Sequence, residues 1–527
     1  MSKTIKDPIY GYIEIDDMNV FVINSIYFQR LRNVIQTSYT AIYPSSLHNR
    51  FTHSLGVYWL GKMAFKSLIN NTPAFKDIEN LEEIEKTFVF ACLCHDLGHS
   101  PFSHTGEKFY DKLSTSKKLD EIVNDAEYSK DLQKSGGIVG NEHEIMSALL
   151  SLQVFGSQLK DEYFSLFTRC IIGLQYPYNK NLDKKNILCR ACVEMLNSSI
   201  IDVDKLDYLI RDSYMSGYES ISIDYIRLLN GVFINNGEYP IGYEKSALSV
   251  LESVLTAHDM ERRWIQSHPT TLYEAYIIQT IIRELENNVQ DKGSLFSLEA
   301  LKEDGVNLGD KTIRLLSDSD VLHLAKQYYD ESDAVKEYCD RNLRRHPFWK
   351  SEAEFALLFD FKKNELFIEI LLKWEDDLLE GRYGVYSLND TFNDSLHNQL
   401  TQSNEAYEKT VDETQKRIYQ DKIEKLKIEI DLLEKIKKYL LSKNITFDLV
   451  IISKKQFKSN IYKPAFKDLP IRFNSINSSI SKMSEVTFMP LDTQEEKEFF
   501  YLFYKRQEDS IVDIEDFSKE LRRIAII

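Results

Sequence analysis

The sequence predicts a mainly α protein: a helical core followed by a smaller α+β C-terminal lobe. Three observations predict this. Apolar residues recur at helical spacing through most of the N-terminal two thirds, as in Ile26, Phe28, Leu31, Val34 and Ile35. The clearest strand pattern, ITFDLVII at 445–452, comes late in the chain. Between them, His346, Pro347, Phe348, Trp349 and Lys350 make a break where the sequence changes character. The expected division is a core over 1–345, with an N-terminal regulatory arm, and a C-terminal region over 346–527 for assembly or regulation.

Composition narrows the function classes. The chain has 527 residues, enough for two or three domains, with 43% hydrophobic and 28% charged residues, as in ordinary globular proteins. No apolar run approaches the roughly 20 residues that span a membrane, and the first residues, MSKTIKDP, have no apolar signal-peptide core. The six cysteines are irregularly spaced; Cys189 and Cys192 form a CxxC with no second pair, which reads as buried thiols. A reducing cytoplasm is expected. The net charge of −17 repels long nucleic acids over most of the surface, so a small anionic ligand in a basic pocket fits better.

Taken in order, residues 7–15 alternate around Gly11 and read as a hairpin or extended arm. Residues 24–36 read as one helix whose polar face carries Gln29, Arg30, Arg32 and Asn33. Pro44 and two serines make a loop, and a helix starts near Thr52, with His53 in its first turn. FVFACLC at 88–94 reads as a buried helix; Gly98 and Pro101 then break it and let His99 and His104 fold back. Residues 111–140 are charged and read as a surface insertion, 158–198 as helical throughout, and 198–212 as the start of another helix with Asp204, Tyr208 and Arg211 on one face. Asn235, Asn236 and Gly237 mark a turn between strand-like residues, and 244–285 reads as helical with a break at 267–269. Tyr419, Ile423, Leu426, Ile430, Leu433 and Leu440 give a long amphipathic helix, fit for an oligomer contact or for packing within the chain.

The chemistry concentrates in CHDLGHSPFSHTGE at 94–107, where three of the eleven histidines stand beside two carboxylates. A His-Asp pair leaving a buried helix puts an imidazole and a carboxylate within reach of one divalent ion, and that mixed set is permissive about the metal. Added to this are His53 and a distant aspartate. The segments DPIYGYIEI, FQRLRNVIQ, HNRFTHSLGV, CHDLGHSPFSH, NEHE and IDVDKLDYLIRD run in order over residues 7–212. Together they resemble the HD-domain deoxynucleoside triphosphate triphosphohydrolases, most closely the branch with the sterile-alpha-motif/HD enzyme, although this chain has no sterile-alpha-motif domain. The likeness is good over roughly the first 280 residues and poor over the last 180.

That resemblance implies metal ligands His53, His95, Asp96 and Asp204 for a divalent ion (Fe, Mn, Mg or Zn). It implies attack of water at the α-phosphorus of a dNTP, giving a deoxynucleoside and inorganic triphosphate. His104 would be the acid, Glu107 (usually Asp in the family) would orient it, and His99 and His143 would complete the catalytic cluster. Gln36, Arg50, Lys205, Tyr208 and Asp212 match positions that hold triphosphate and sugar. Lys3, Asn24, Gln29 and Arg32 match a nucleotide-binding allosteric site between subunits, where Asn24 replaces a carboxylate. A homo-oligomer, dimer or tetramer, is implied, and a partner protein is compatible with the divergent C-terminal third. The family analogy also raises dNTP depletion in anti-phage defence. The other readings are an HD phosphodiesterase acting on single-stranded nucleic acid or a signalling oligonucleotide, and a nucleotide-sensing scaffold.

Overall fold

In this computed structural model the described residues are all except 1, 38–39, 219–221, 288–293, 310, 360–362, 456–458, 460–462, 474–478, 488, 490–497, 506–515, 517–518, 521–522 and 525–527. The fold is mainly α. The N-terminal arm is an antiparallel hairpin of β1 (Lys3–Asp7) and β2 (Gly11–Ile15). Asp7 closes its turn by accepting from the amides of Ile9 and Tyr10, and Gly11 takes the positive φ of 79° that a side chain would resist. The single helix expected over 24–36 is shorter: Ile26–Arg30 is α-helical, a 3-10 turn follows at Leu31–Asn33, and Val34 is extended. Helices α1 (Asp17–Asn24) and α2 (Ile26–Arg30) meet at Ser25, which is extended and caps α2 by accepting from the Phe28 amide.

Helix α3 (Arg50–Asn71) is the central rod, starting two residues before the expected position because Asn49 caps it through the Thr52 amide. It packs on α4 (Leu81–Cys94), whose residues from Thr87 to Cys94 are all buried. Each fully buried Leu or Phe there stabilises by about 1.5–3 kcal/mol. A short helix, α5 (His104–Glu107), follows the loop after α4. Residues 111–140 are not a surface insertion. They form α6 (Lys112–Val123) and α7 (Ala126–Lys134), which bury Leu119, Val123, Tyr128 and Leu132. Fully buried Arg169 bonds Asp131 at 2.8 Å, so charge in this stretch serves the interior.

Helix α8 (Glu142–Phe155) opens with a capping box of Asn141 and Glu144. The stretch expected to be helical throughout divides into α9 (Phe164–Ile172), ended by left-handed Gly173, and α10 (Lys184–Leu196), capped by Asp183. Next come α11 (Val203–Ser216), capped by Asp202, and α12 (Tyr225–Asn230). Strands β3 (Val232–Ile234) and β4 (Ile241–Glu244) flank the expected turn. Helix α13 (Leu248–Glu261) passes through a π turn at Arg262–Gln266 before α14 (Pro269–Asn287).

The chain divides into two compact units: Met1–Gln266 with Ile281–Tyr328 and Lys458–Gln494, and Ser267–Thr280 with Tyr329–Phe457 and Glu495–Ile527. The second therefore begins before residue 345, and a late segment returns to the first. That return is anchored by a sheet: β4 pairs in parallel with β9 (Pro470–Phe473), through Tyr243 against Ile471, and β10 (Ser479–Lys482) pairs with β9. The second unit is α+β. Strand β8 (Leu449–Lys455) begins four residues later than the sequence pattern and pairs with β11 (Glu498–Tyr504). The long helix is Glu413–Ser442. It packs against Asp390–Lys409 as a helical hairpin, burying Ile423, Leu426, Ile430, Leu433 and Leu440, so its apolar stripe is used within the chain. Among the described residues, no helix is long and apolar enough to cross a membrane.

Candidate metal centre and histidine cluster

Three helices deliver the centre. His53 comes from the first turn of α3, His95 and Asp96 from the end of α4, and Asp204 from the first turn of α11. His53 Nε2 stands 2.9 Å from Asp204 Oδ1 and 3.2 Å from His95 Nε2. His95 Nε2 is 3.6 Å from Asp204 Oδ1 and 3.4 Å from Asp96 Oδ1. His53 Nε2 is 3.6 Å from Asp96 Oδ2.

The other ring nitrogens fix the tautomers. His53 Nδ1 donates to Asp207 Oδ2 at 2.7 Å, and His95 Nδ1 donates to the Cys92 carbonyl at 2.9 Å. Both Nε2 atoms can then face the carboxylates as acceptors, so two imidazoles and two carboxylates converge with no donor of their own. Such a set fits a divalent cation. Without one, a proton takes the position. Burial disfavours charge on His53, but hydrogen bonds to Asp204 and Asp207 and the nearby Asp96 outweigh it, raising the group to about 10.

Asp207 is itself pinned. Arg211 Nε and Nη2 donate to it at 2.9 and 3.0 Å, and Arg211 Nη1 donates to Asp7 at 3.0 Å. The expected face of Asp204, Tyr208 and Arg211 therefore serves two ends, because Arg211 is buried in this second layer. Gly56 makes room for it: a Cβ there would lie 1.8 Å from Asp207 Oδ1 and 2.6 Å from Arg211 Nη2. Gly56→Ala is expected to displace His53 and weaken cation binding at least tenfold, read by metal titration, although no ligand is changed.

Arg50 is committed to the centre. Its Nη1 donates to Asp96 at 2.7 Å, Nε to Ser103 Oγ at 2.9 Å, and Nη2 to the Gln36 carbonyl at 3.3 Å. The guanidinium orients Asp96 here, and does not present a free fork. Among the described residues, the buried Gln36 Oε1 has no hydrogen-bond partner.

The second cluster is His99, His104, Glu107 and His143, a donor set that can also hold an ion. His143 Nδ1 donates to Glu107 Oε2, and His104 Nδ1 bonds Glu107 Oε1 at 3.1 Å. His99 stacks on His143 at 4.2 Å between ring centroids. Burial opposes charge on both partners of the Glu107–His143 pair, but their bond wins: Glu107 is held well below the carboxylate range and His143 rises to about 9. His99 is buried with neither ring nitrogen bonded among the described residues, and burial with the nearby Arg50 keeps it neutral.

The backbone that carries these groups is tightly built. Buried Arg30 donates to the carbonyls of Leu97, His99 and Leu316, and Asp318 accepts from the amides of Ile35 and Phe102. Phe102 and Ser103 are held at φ 58° and 53°. Gly98 is needed because a Cβ would lie 2.4 Å from the Ser147 amide nitrogen.

Along α11, Lys205 Nζ donates to the Ser198 carbonyl at 2.7 Å and to Asp202 Oδ2 at 2.5 Å. Burial raises Tyr208 well above its usual range, with the carboxylates of Glu261, Asp204, Asp202 and Asp212 adding to it. Asp212 bonds His48 Nε2 at 2.6 Å. Glu261 is pushed up by burial and by Asp212, with which it shares a hydrogen bond, and Gln266 donates to it at 2.8 Å. Sequence reasoning missed Asp7, His48, Asp207 as an orienting group, Arg211 as its clamp, and Glu261. The Asp207–Arg211 spacing of four on one helix was the available signal.

The four arm residues also come together. Lys3 Nζ donates to Asn24 Oδ1 at 3.1 Å, Gln29 Nε2 to the Ile23 carbonyl at 2.7 Å, and Arg32 Nε to Gln29 Oε1 at 2.8 Å. Arg32 also lies over the Phe51 ring at 3.8 Å.

Residues 50–186 match the HD domain family. The chain is 33% identical over 229 residues to the "Deoxynucleoside triphosphate triphosphohydrolase SAMHD1 homolog" of Dictyostelium discoideum, covering 43% of this chain and 39% of that one. It is 32% identical over 262 residues to the uncharacterized protein MG461 of Mycoplasma genitalium, covering 48% of this chain and 54% of that one. The chain thus spans about half the length, or less, of these curated relatives. A crystal structure titled as a phosphohydrolase from Bacteroides thetaiotaomicron shares the fold with a TM-score of 0.55 at 18% identity, covering 96% of this chain and all of that one.

Proposed function

We propose that this HD-domain chain, related to the SAMHD1 triphosphohydrolases, is a metal-dependent dNTP triphosphohydrolase. The observation that carries the reading is the convergence of His53, His95, Asp96 and Asp204 beside a separate, internally charged cluster of His104, Glu107 and His143. A bound divalent ion would supply Lewis acidity toward a phosphoryl oxygen and an activated water.

The chain's own residues do the rest. A P–O bond forms from water to the α-phosphorus, the P–O5′ bond breaks, and the 5′ oxygen must gain a proton. Glu107 engages His104 through Nδ1, which leaves Nε2 to carry that proton. His143, charged by Glu107, adds positive potential beside neutral His99. The bonded Asp212 and Glu261 carboxyls suit a sugar hydroxyl, whereas a phosphate would be repelled there. The unpartnered Gln36 Oε1 suits the same hydroxyl, and a buried contact of that kind discriminates strongly against an analogue lacking it. Lys3, Asn24, Gln29 and Arg32 form the effector patch of a nucleotide-regulated homo-oligomer, and dNTP depletion against phage is a role compatible with this chemistry.

Purified protein given each dNTP alone, then all four, with Mn²⁺ or Mg²⁺, is expected to yield deoxynucleoside and intact triphosphate. Asp96→Ala should abolish both products. Turnover only in the mixture would support the effector patch. Release of pyrophosphate or orthophosphate would contradict the assigned scissile bond, and cleavage of oligonucleotides alone would favour the phosphodiesterase reading.

A further inference from the structure

The segment 458–494 brings a lysine back to the first unit from far along the sequence. Lys463 Nζ donates to the Ser199 carbonyl at 3.3 Å, while Lys205 Nζ donates to the adjacent Ser198 carbonyl at 2.7 Å. Two ammonium groups from positions 258 residues apart thus sit on consecutive carbonyls of the turn before α11. Lys205 has Asp202 as its counter-ion. Among the described residues, the Ser199 carbonyl is the hydrogen-bond partner of Lys463, and no carboxylate pairs with it.

The position of Lys463 is held by the fold. Ser459 donates to Asp259 at the end of α13, Thr487 Oγ1 donates to Glu252 on the same helix at 2.7 Å, and β9 is paired with β4. Burial, Lys205 and Arg262, which is half-buried at the start of the π turn, lower the affinity of Lys463 for a proton, against Asp259. Like charges gathered on a turn repel one another until an anion arrives. The corner adjoins the centre, since Lys205 follows the ligand Asp204. With a net charge of −17 over the whole chain, a compact polyanion suits it better than a long nucleic acid.

We infer that Lys463 joins Lys205 in a polyphosphate-binding corner that takes the distal phosphates of the substrate, so that the late segment contributes to the site. This rests on the triphosphohydrolase reading for its substrate but not for its chemistry.

The test is calorimetric binding of inorganic tripolyphosphate to the full chain, with turnover of dNTPs measured separately. Wild type is expected to bind. Lys463→Ala should bind about tenfold more weakly, and raise KM with kcat little changed. Lys463→Arg should restore both, and added salt should narrow the difference. The exposed side chain makes loss of fold from Lys463→Ala unexpected, and an unchanged melting temperature checks this. Equal tripolyphosphate affinity in wild type and Lys463→Ala, or no binding by wild type, overturns the inference even if dNTPs are hydrolysed. Lys463-dependent tripolyphosphate binding without dNTP turnover keeps the corner and removes the triphosphohydrolase reading.

Discussion

Arg211→Leu is expected to be among the most damaging single substitutions in the first unit, although Arg211 touches no proposed ligand of the ion. Arg211, Asp207 and Asp7 are 1%, 0% and 3% exposed. Removing the guanidinium leaves two buried carboxylates without the cation that pairs them, which costs about 3–5 kcal/mol. Asp207 would feel it most: burial pushes its carboxyl up, and Arg211 is the principal group that brings it down to about 2. Once protonated or displaced, Asp207 can no longer hold the Nδ1 proton of His53, and the ring loses its tautomer and its aim. Cation affinity should fall about 10–100-fold. Denaturant midpoints and metal titration check the two parts. Asp207→Asn separates them, because it keeps a hydrogen bond to His53 and removes the charge. A wild-type midpoint and metal affinity in Arg211→Leu would contradict this account of the second layer.

His104→Gln is expected to lower kcat by about 10²–10⁴-fold, with the fold and cation binding intact. His104 is largely exposed, its side chain 65% accessible, and the residues that pack the core do not include it. Steady-state kinetics on a dNTP leaving a 5′ alkoxide should show the loss in kcat. A substrate with an activated leaving group, which needs no proton, should show much less. If kcat falls equally on both substrates, His104 is not the acid. If kcat is unchanged within a few fold, the proton comes from elsewhere, and His143, charged through its bond to Glu107, is the next group to replace.

The convergence of the candidate ligands was legible because they sit in dense local motifs. HDLGHSPFSH carries four of the polar groups within ten residues, His95, Asp96, His99 and His104, and HNRFTHSLGV and DVDKLDYLIRD supply others in readable contexts. Its supports were not legible in the same way. Arg30 and Arg211 read as polar positions on helix faces, yet both are buried because carbonyls or carboxylates wait for them on distant elements. A local pattern cannot announce a partner 67 or 204 residues away. The helix expected over 24–36 stops short, at Arg30 and a 3-10 turn over Leu31–Asn33, because Val34 is extended and Ile35 bridges to Asn49. The return of 458–494 rests on Tyr243 pairing with Ile471, a long-range register with no short-range signature. The charge of 111–140 misled for the reason that Arg169 shows: a buried guanidinium recruits a carboxylate inward.

The most direct test of the central claim, that His53, His95, Asp96 and Asp204 form a cation site, is metal equilibrium binding. Wild type, Asp204→Ala and Lys205→Ala would be stripped with chelator, then titrated with Mn²⁺. The account predicts a saturable site in wild type and Lys205→Ala that is lost in Asp204→Ala. Retention of that site in Asp204→Ala, or no uptake by wild type, would contradict it.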